Sequence, residues 1–326
     1  MSGADDTRAS GSPGPLRVLV SFKVTPDFEA LRPADWAAGA VEAGTPGAGA
    51  ASATGASSPG ASATAPRDEV ASASGTHAAP RVPTRCVRRV LNCFDESALE
   101  LALRLSDTLA QRGGGADLAA LSIGGREIDP HLTTLLALGY ERAARLDVES
   151  DLDFAPAVVA SLIARYVARR EPCDLLLLGC CSGPGDGGTV PFRVAEALGW
   201  PCVSQVTEVE ALTGGGLRVA CTTDEGLLRL TVRGPAVLAV GNAVVSRLRV
   251  PTLRDRLARR DAPVAIVAAA ELGIDVAAEL GREPTALRGL EVVDRARRGV
   301  VVDGATPRDK ARLLYDAHLR ALLAAP

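Results

Sequence analysis

Apolar and polar positions along the chain alternate between two spacings. Short apolar runs bounded by turn residues occur at LRVLVSFKV (16–24), ADLAALSIG (116–124), ERAARLDV (141–148) and PCDLLLLG (172–179). Their length and bounds are those of strands, the last buried on both faces. Between them, apolar residues recur three and four apart. DESALELALRLSDTLAQRGG (95–114) predicts a helix capped by Asp95, with Leu99, Leu101, Ala102 and Leu105 on its apolar face and Gly113 as its stop. PHLTTLLALG (130–139), APAVVASLIARYVARR (155–170) and VPFRVAEALG (190–199) read as further helices, and TRCVRRVLN (84–92) as an edge strand. Alternating strands and helices imply an α/β fold: a doubly wound, mostly parallel sheet covered on both faces.

From Val203 the spacing changes. SQVTEVEALTGGGLRVACTTDEGLLRLTVRGPAVLAVGN (204–242) consists of short runs broken by TGGGL and DEG, the pattern of antiparallel hairpins appended to the core. TLRDRLARRDAP (252–263) reads as a basic helix. VVVDGATPRDKARLLYDAHLRALL (300–323) reads as a strand-like piece followed by a helix capped near Thr306. Residues 1–14 form a polar, Gly/Pro-containing tail. Residues 37–80 are Ala, Gly, Ser, Thr and Pro almost throughout; with so little to bury, they are expected to stay disordered, as an insertion within a domain.

One stretch between a strand and a helix carries candidate chemistry: GCCSGPGDGGT, Gly179 to Thr189. It lacks the lysine of a phosphate-binding P-loop, which removes ATP hydrolysis. Gly183 to Gly188 fit GxGxxG, with Glu208 about 20 residues on, but the motif belongs after the first strand of a fold and this loop follows a later one. Adjacent Cys180 and Cys181 lack the spacing of structural zinc ligands, and His77, His131 and His318 are scattered. Two readings stay open. One is a backbone cradle for an anion at the N-terminus of the following helix, with the Thr189 hydroxyl as an extra donor and Pro191 in the first turn. The other is a plain connection. Ser21, Ser122 and Ser182 follow strands, but none lies in GxSxG. Asp95-Glu96 and Asp224-Glu225 read as a helix cap and a hairpin turn rather than as acid–base pairs.

Composition narrows the classes. At 47% hydrophobic residues the chain can bury a sizeable core, and a net charge of −3 argues against nucleic-acid binding. Arginine supplies the positive charge almost alone, Lys23 and Lys310 being the only lysines. Seven cysteines without a CxxC, a polar start without a signal-peptide core and no apolar run near the ~20 residues of a membrane span suggest free thiols in a reducing cytoplasm. Cys173, Cys202 and Cys221 read as small apolar packing residues, and Cys180 and Cys181 as exposed loop thiols.

In order, these pieces resemble the β subunit of electron transfer flavoproteins, in its FixA-like bacterial branch. The resemblance rests on RVLVSFKVTPDFEA, LNCFDESALELALRLSD, LSIGG, ALGYERAARL, PCDLLLLG, EALGWPCVSQVTEVE, DEGLLRLTVRGPAVLAV, RVPTLRDRLARRDAPV and ELGID, and covers about residues 16–33 and 82–326. It implies an adenine nucleotide α-hydrolase-like fold over residues 15–270 and a C-terminal extension, 271–326, packing on a partner. It implies an electron carrier rather than an enzyme, without a metal, paired with an α subunit and sharing FAD with it. Electrons would pass between flavin dehydrogenases and a quinone reductase or similar acceptor. A second site would hold AMP or a second FAD. Carried over, that site takes Ser21, Asn92, Cys93, Phe94, Ile123 and the loop Gly179, Gly183, Gly185, Asp186, Gly187, Gly188, Thr189, Val190 and Pro191. Phe28 would lie near the flavin, while Arg249 and Leu253 would form the docking segment for dehydrogenases. Cys180 stands where relatives carry a polar side chain, Cys93 replaces a proline and Val250 an aromatic residue, which leaves more of the nucleotide to backbone N–H groups. Two other classes stay open on the residues alone: a nucleotide-binding regulatory module of the same fold, and an NAD-dependent enzyme.

Overall fold

The structure, a computed structural model, describes residues 14–27, 30, 87–183, 188–213, 215–243, 246–283 and 299–323. The chain divides into two compact units; among the described residues, the first holds those up to 283 and the second holds 299–323.

The first unit is built on a nine-stranded sheet. Its strands are β1 (Leu16–Ser21), β4 (Ala116–Gly124), β5 (Arg142–Asp147), β6 (Leu175–Gly179), β7 (Cys202–Ala211), β8 (Leu217–Thr223), β9 (Gly226–Val232), β10 (Ala236–Val240) and β11 (Ala265–Ala268). They lie in the order β11-β5-β4-β1-β6-β10-β7-β8-β9. Strands β11 through β7 run parallel, with Val18 beside Leu118 on one side and Leu175 on the other. β7, β8 and β9 form the antiparallel extension, turning at Asp224-Glu225.

The period of two along each central strand sends side chains to two separate cores. Val18, Val20, Leu118, Ala120, Leu175, Leu177 and Leu238 pack beneath α1 (Cys93–Gln111) and α2 (Asp129–Leu138). Leu19, Ala119, Leu121, Leu176, Leu178 and Val237 pack on the other face beneath α3 (Pro156–Arg169) and α4 (Val190–Leu198). Each fully buried leucine contributes about 1.5–3 kcal/mol, which favours a doubly wound sheet with both faces covered. The apolar face expected on α1 is formed: Leu99, Leu101, Ala102 and Leu105 are all buried.

Four expectations are corrected. AVLAV (236–240) is not a hairpin strand. It inserts parallel between β6 and β7, and all five of its residues are buried, as befits a central strand. The piece after β1 leaves the main sheet: β2 (Val24–Pro26) pairs antiparallel with β3 (Arg89–Leu91) in a two-stranded sheet of its own. The basic segment keeps only one short helix, α5 (Leu253–Ala258), begun by a capping box between Thr252 and Asp255. Residues 300–303 form no strand, whereas α7 (Pro307–Leu314) begins as expected at a Thr306–Asp309 capping box and runs on through a wider turn at Tyr315–Leu319. Between these lies α6 (Val276–Leu280). Among the described residues no helix is long and apolar enough to cross a membrane.

Candidate functional site

Strand order reverses beside β1. The chain passes from β1 to β4 and β5 on one side, then returns to lay β6 and β10 on the other. The loops after β1 and β6 therefore diverge at the carboxyl ends of their strands, the place where open α/β sheets bind ligands.

Four elements are tied together there. The Phe22 amide donates to the Leu121 carbonyl (2.9 Å), and the Ser122 hydroxyl donates to the Phe22 carbonyl (2.7 Å), joining β1 to β4 just past the buried Ser21. The Asn92 amide donates to the Lys23 carbonyl (3.0 Å), bringing the start of α1 to the same edge. The Asn92 side-chain amide then donates both to Asp95 Oδ2 (3.0 Å) and to the Cys181 carbonyl in the glycine loop (2.9 Å). Asp95 is the hub. Its Oδ2 also accepts from the Lys23 amide (3.0 Å), and its Oδ1 accepts from the Gly179 amide (2.6 Å). Asp95 was expected to cap its helix; the N-cap position is Asn92, and the Asp95 carboxylate instead braces β1 against β6. Burial pushes its carboxyl up to about 6, against the opposing pull of the hydrogen bonds from Asn92, Gly179 and Lys23.

The loop itself begins at a close contact. A Cβ on Gly179 would lie 2.6 Å from Asp95 Oδ1 and 2.9 Å from both the Asp95 nitrogen and Phe94 Cβ, so only glycine fits. At the far end Gly188 has φ +69°, and a Cβ there would sit 3.0 Å from the Cys180 carbonyl oxygen. Thr189, at the N-cap of α4, is exposed and makes no side-chain bond to its own helix. Val190 is half-buried, and buried Pro191 occupies the first turn. Over this loop stands Lys23, with its ammonium 3.0 Å from Asp153 Oδ1 and 3.4 Å from the Ser182 hydroxyl. A cation and the start of a helix thus share one rim, an arrangement that suits an anion.

Of the residues singled out from sequence, Ser21, Asn92, Phe94, Gly179 and Gly188 meet at this edge. Ile123 lies half-buried at the end of β4, paired with Leu146, and Cys93 opens α1 exposed. Gly183 is exposed. Phe28, Gly185, Asp186 and Gly187 lie outside the described residues. Cys180 is buried, not an exposed thiol as expected. Cys173 and Cys221 are buried and Cys202 is half-buried, as packing residues. Glu208 faces away from this edge's chemistry: it sits on β7, separated from β6 by β10, in a polar hollow with Glu210, Arg218 and Arg229. Among the described residues no group of three or more His, Cys, Asp and Glu is placed to hold a metal. Sequence reasoning missed Lys23 and Asp95. The signal was there for Lys23, one of two lysines in a chain that otherwise uses arginine.

The model of the electron transfer flavoprotein domain matches residues 84–272, more than half of the chain. The chain belongs to the electron transfer flavoprotein family. The Escherichia coli (strain K12) protein YgcR, named as an electron transfer flavoprotein subunit, is 32% identical over 311 residues, 94% of this chain and 98% of that protein. Electron transfer flavoprotein β subunits of Bacillus subtilis (strain 168) and Bradyrhizobium diazoefficiens are 31% and 28% identical. The first match covers 37% of this chain and 45% of that protein, the second 60% and 74%. Membership in the electron transfer flavoprotein family carries with it an electron-carrier role and association with flavin.

In this electron transfer flavoprotein chain the segment before α5 is clamped to α1. The Arg249 guanidinium makes a two-pronged contact with Glu100 (Nη2 to Oε1, 2.9 Å; Nε to Oε2, 3.1 Å) and reaches Asp107 (2.8 Å). The Arg249 amide donates to Glu100 Oε2 (3.1 Å), and the Leu248 amide to Glu96 Oε1 (3.0 Å). Burial would raise the Glu100 carboxyl, but the hydrogen bonds and charge of Arg249, helped by Arg104, outweigh it and hold it below the usual carboxylate range. The clamp leaves Val250 and Leu253 outward, 81% and 72% exposed. Arg249→Met is expected to cost about 2 kcal/mol, less than a fully buried pair because Arg104 still faces Glu100 and Arg249 is partly solvated. Urea denaturation measures the loss, and hydrogen exchange should quicken at residues 248–257 before the sheet.

Proposed function

We propose that this chain is the β subunit of a heterodimeric electron transfer flavoprotein, sharing an FAD with an α subunit and holding an adenine nucleotide, AMP or a second FAD, in the crevice between β1 and β6. The observation that carries the reading is the joining of Lys23, Asn92, Asp95 and Gly179 at the reversal of strand order, in a chain collinear with a family member over nearly all of both lengths.

The residues fit such a ligand. Gly179 and Gly188 keep side chains out of the loop, the start of α4 offers backbone N–H groups to phosphate, and Lys23 supplies the cation that the loop sequence lacks. A bound flavin supplies reversible uptake and release of electrons. This chain's part is to bind and orient: Asp95 fixes the spacing of β1 and β6, and Asn92 holds the Cys181 carbonyl where the loop leaves β6. The clamped segment with Leu253 outward is the surface for flavin dehydrogenases, and electrons leave to a quinone reductase or similar acceptor. Residues 271–326 pack on the α subunit. On this reading the chain is a carrier without a reaction of its own, and it works in the cytoplasm.

Co-expression with the cognate α subunit is the test. A yellow complex is expected, releasing FAD and an adenine nucleotide on denaturation. Lys23→Met is expected to weaken retention of the nucleotide about tenfold while the flavin stays, since one charge-assisted phosphate contact contributes about 1.5–3 kcal/mol. A stable but colourless αβ complex would overturn the proposal.

A further inference from the structure

Two adjacent thiols stand at the mouth of the crevice, and nothing in the electron-carrier reading uses them. The sulfurs of Cys180 and Cys181 lie 3.8 Å apart. Both residues are fixed from outside: the Cys180 amide donates to the Val240 carbonyl (2.8 Å), and the Cys181 carbonyl accepts from Asn92 (2.9 Å). The backbone on either side of the pair is therefore anchored, with the two sulfurs within reach of each other. We propose that Cys180 and Cys181 form a thiol–disulfide exchange site that reacts with small-molecule disulfides and closes to a disulfide within the loop.

The order of events follows from burial. Cys180 is buried, and burial, then the neighbouring Cys181 and Asp95, push its thiol up to about 12, so it is the poorer first nucleophile. Cys181 is the more accessible of the two. Its thiolate attacks one sulfur of the incoming disulfide, forming a mixed disulfide and releasing one thiol. Cys180 then gives up its proton and attacks the Cys181 sulfur, releasing the second. Two protein thiols are oxidised to one disulfide, and the small disulfide is reduced to two thiols.

Closure must draw the sulfurs together by about 1.8 Å to reach bonding distance. Neighbouring Cα atoms are held roughly 3.8 Å apart by the trans peptide between them, below the usual disulfide minimum of about 4.4 Å, so the ring closes only with distortion of that peptide and of the bonds about the sulfurs. That distortion displaces the Cys180 carbonyl, which faces Gly188, and pulls the Cys181 carbonyl against Asn92. A bond formed under such strain is readily reduced, which makes the change reversible.

The test uses the full chain, exposed to excess oxidised glutathione, quenched in acid, alkylated and digested with trypsin. Peptide 171–193 carries Cys173 as well as the pair. The expected product has lost two hydrogens, is alkylated only at Cys173, and regains two alkylation sites after reduction. Cys180→Ser is expected to trap glutathione on Cys181, and Cys181→Ser to leave residue 180 unmodified. In the wild type, a lasting glutathione adduct on Cys181, a link from Cys181 to the exposed Cys93, or two unreacted thiols would each overturn the proposal. Because the reading is a peptide mass, it does not depend on any nucleotide or flavin being bound.

Discussion

Asp95→Asn is expected to lower the unfolding free energy by about 3 kcal/mol at pH 7, although it changes one atom in the side chain. The carboxylate accepts from three donors, the amides of Gly179 and Lys23 and the side chain of Asn92. An asparagine has one acceptor oxygen; in either orientation its NH2 group points at a buried donor. Each donor left without an acceptor costs about 1–3 kcal/mol. The pH dependence separates this from a simple packing loss. The folded-state carboxyl is raised to about 6, so between about pH 4 and pH 6 the folded protein holds a proton that the unfolded chain has released. Stability contributed by Asp95 is then largest at the acid end and falls as pH rises through the folded pKa. The gap between wild type and variant should widen as pH drops from 6 to 4 and be level above 7. Urea titrations across that range measure it; a gap that narrows towards pH 4 would contradict the assignment.

Gly179→Val is expected to be more severe, about 3–5 kcal/mol, and to abolish copurification with an α subunit. Two of the three atoms that a Cβ would strike, the Asp95 nitrogen and Phe94 Cβ, belong to the rigid first turn of α1 and cannot swing aside. Helix α1 would have to back away from β6, which breaks the Gly179–Asp95 bond as well. Gly183→Ala is the control in the same loop: no atom of the described residues lies within 4 Å of its added Cβ, so its stability should change by less than about 0.5 kcal/mol. Equal losses at both positions would show that the loop tolerates no side chain for some other reason.

What was legible in the sequence was what depends on local periodicity. The strands β4, β5 and β6 and the helices α1 to α4 follow from apolar spacing and terminal glycines, and fall within a few residues of expectation. What was not legible depends on long-range pairing. AVLAV reads as another hairpin strand after DEG because nothing local distinguishes a run that crosses back to the sheet centre from one that stays at the edge. Asp95 has the residue type and position of a cap, and its actual partners, Lys23 and Gly179, are 72 and 84 positions away in sequence. Glu100 looks like one more solvated helix charge until Arg249, 149 positions on, covers it. The chemistry of the crevice shows in the glycines, but its brace shows only in three dimensions.

Helix α1 serves two places at once. Its first turn carries Asp95, which sets the crevice; its second carries Glu100, which seats Arg249 and through it the outward Leu253. At 1.5 Å per residue the two anchor points are about 7.5 Å apart along one stiff rod. The helix therefore acts as a ruler, fixing the offset between the crevice and Leu253. Adding or deleting a single residue between 95 and 100 would rotate one anchor by about 100° relative to the other and uncouple the two surfaces, while leaving the composition of each intact.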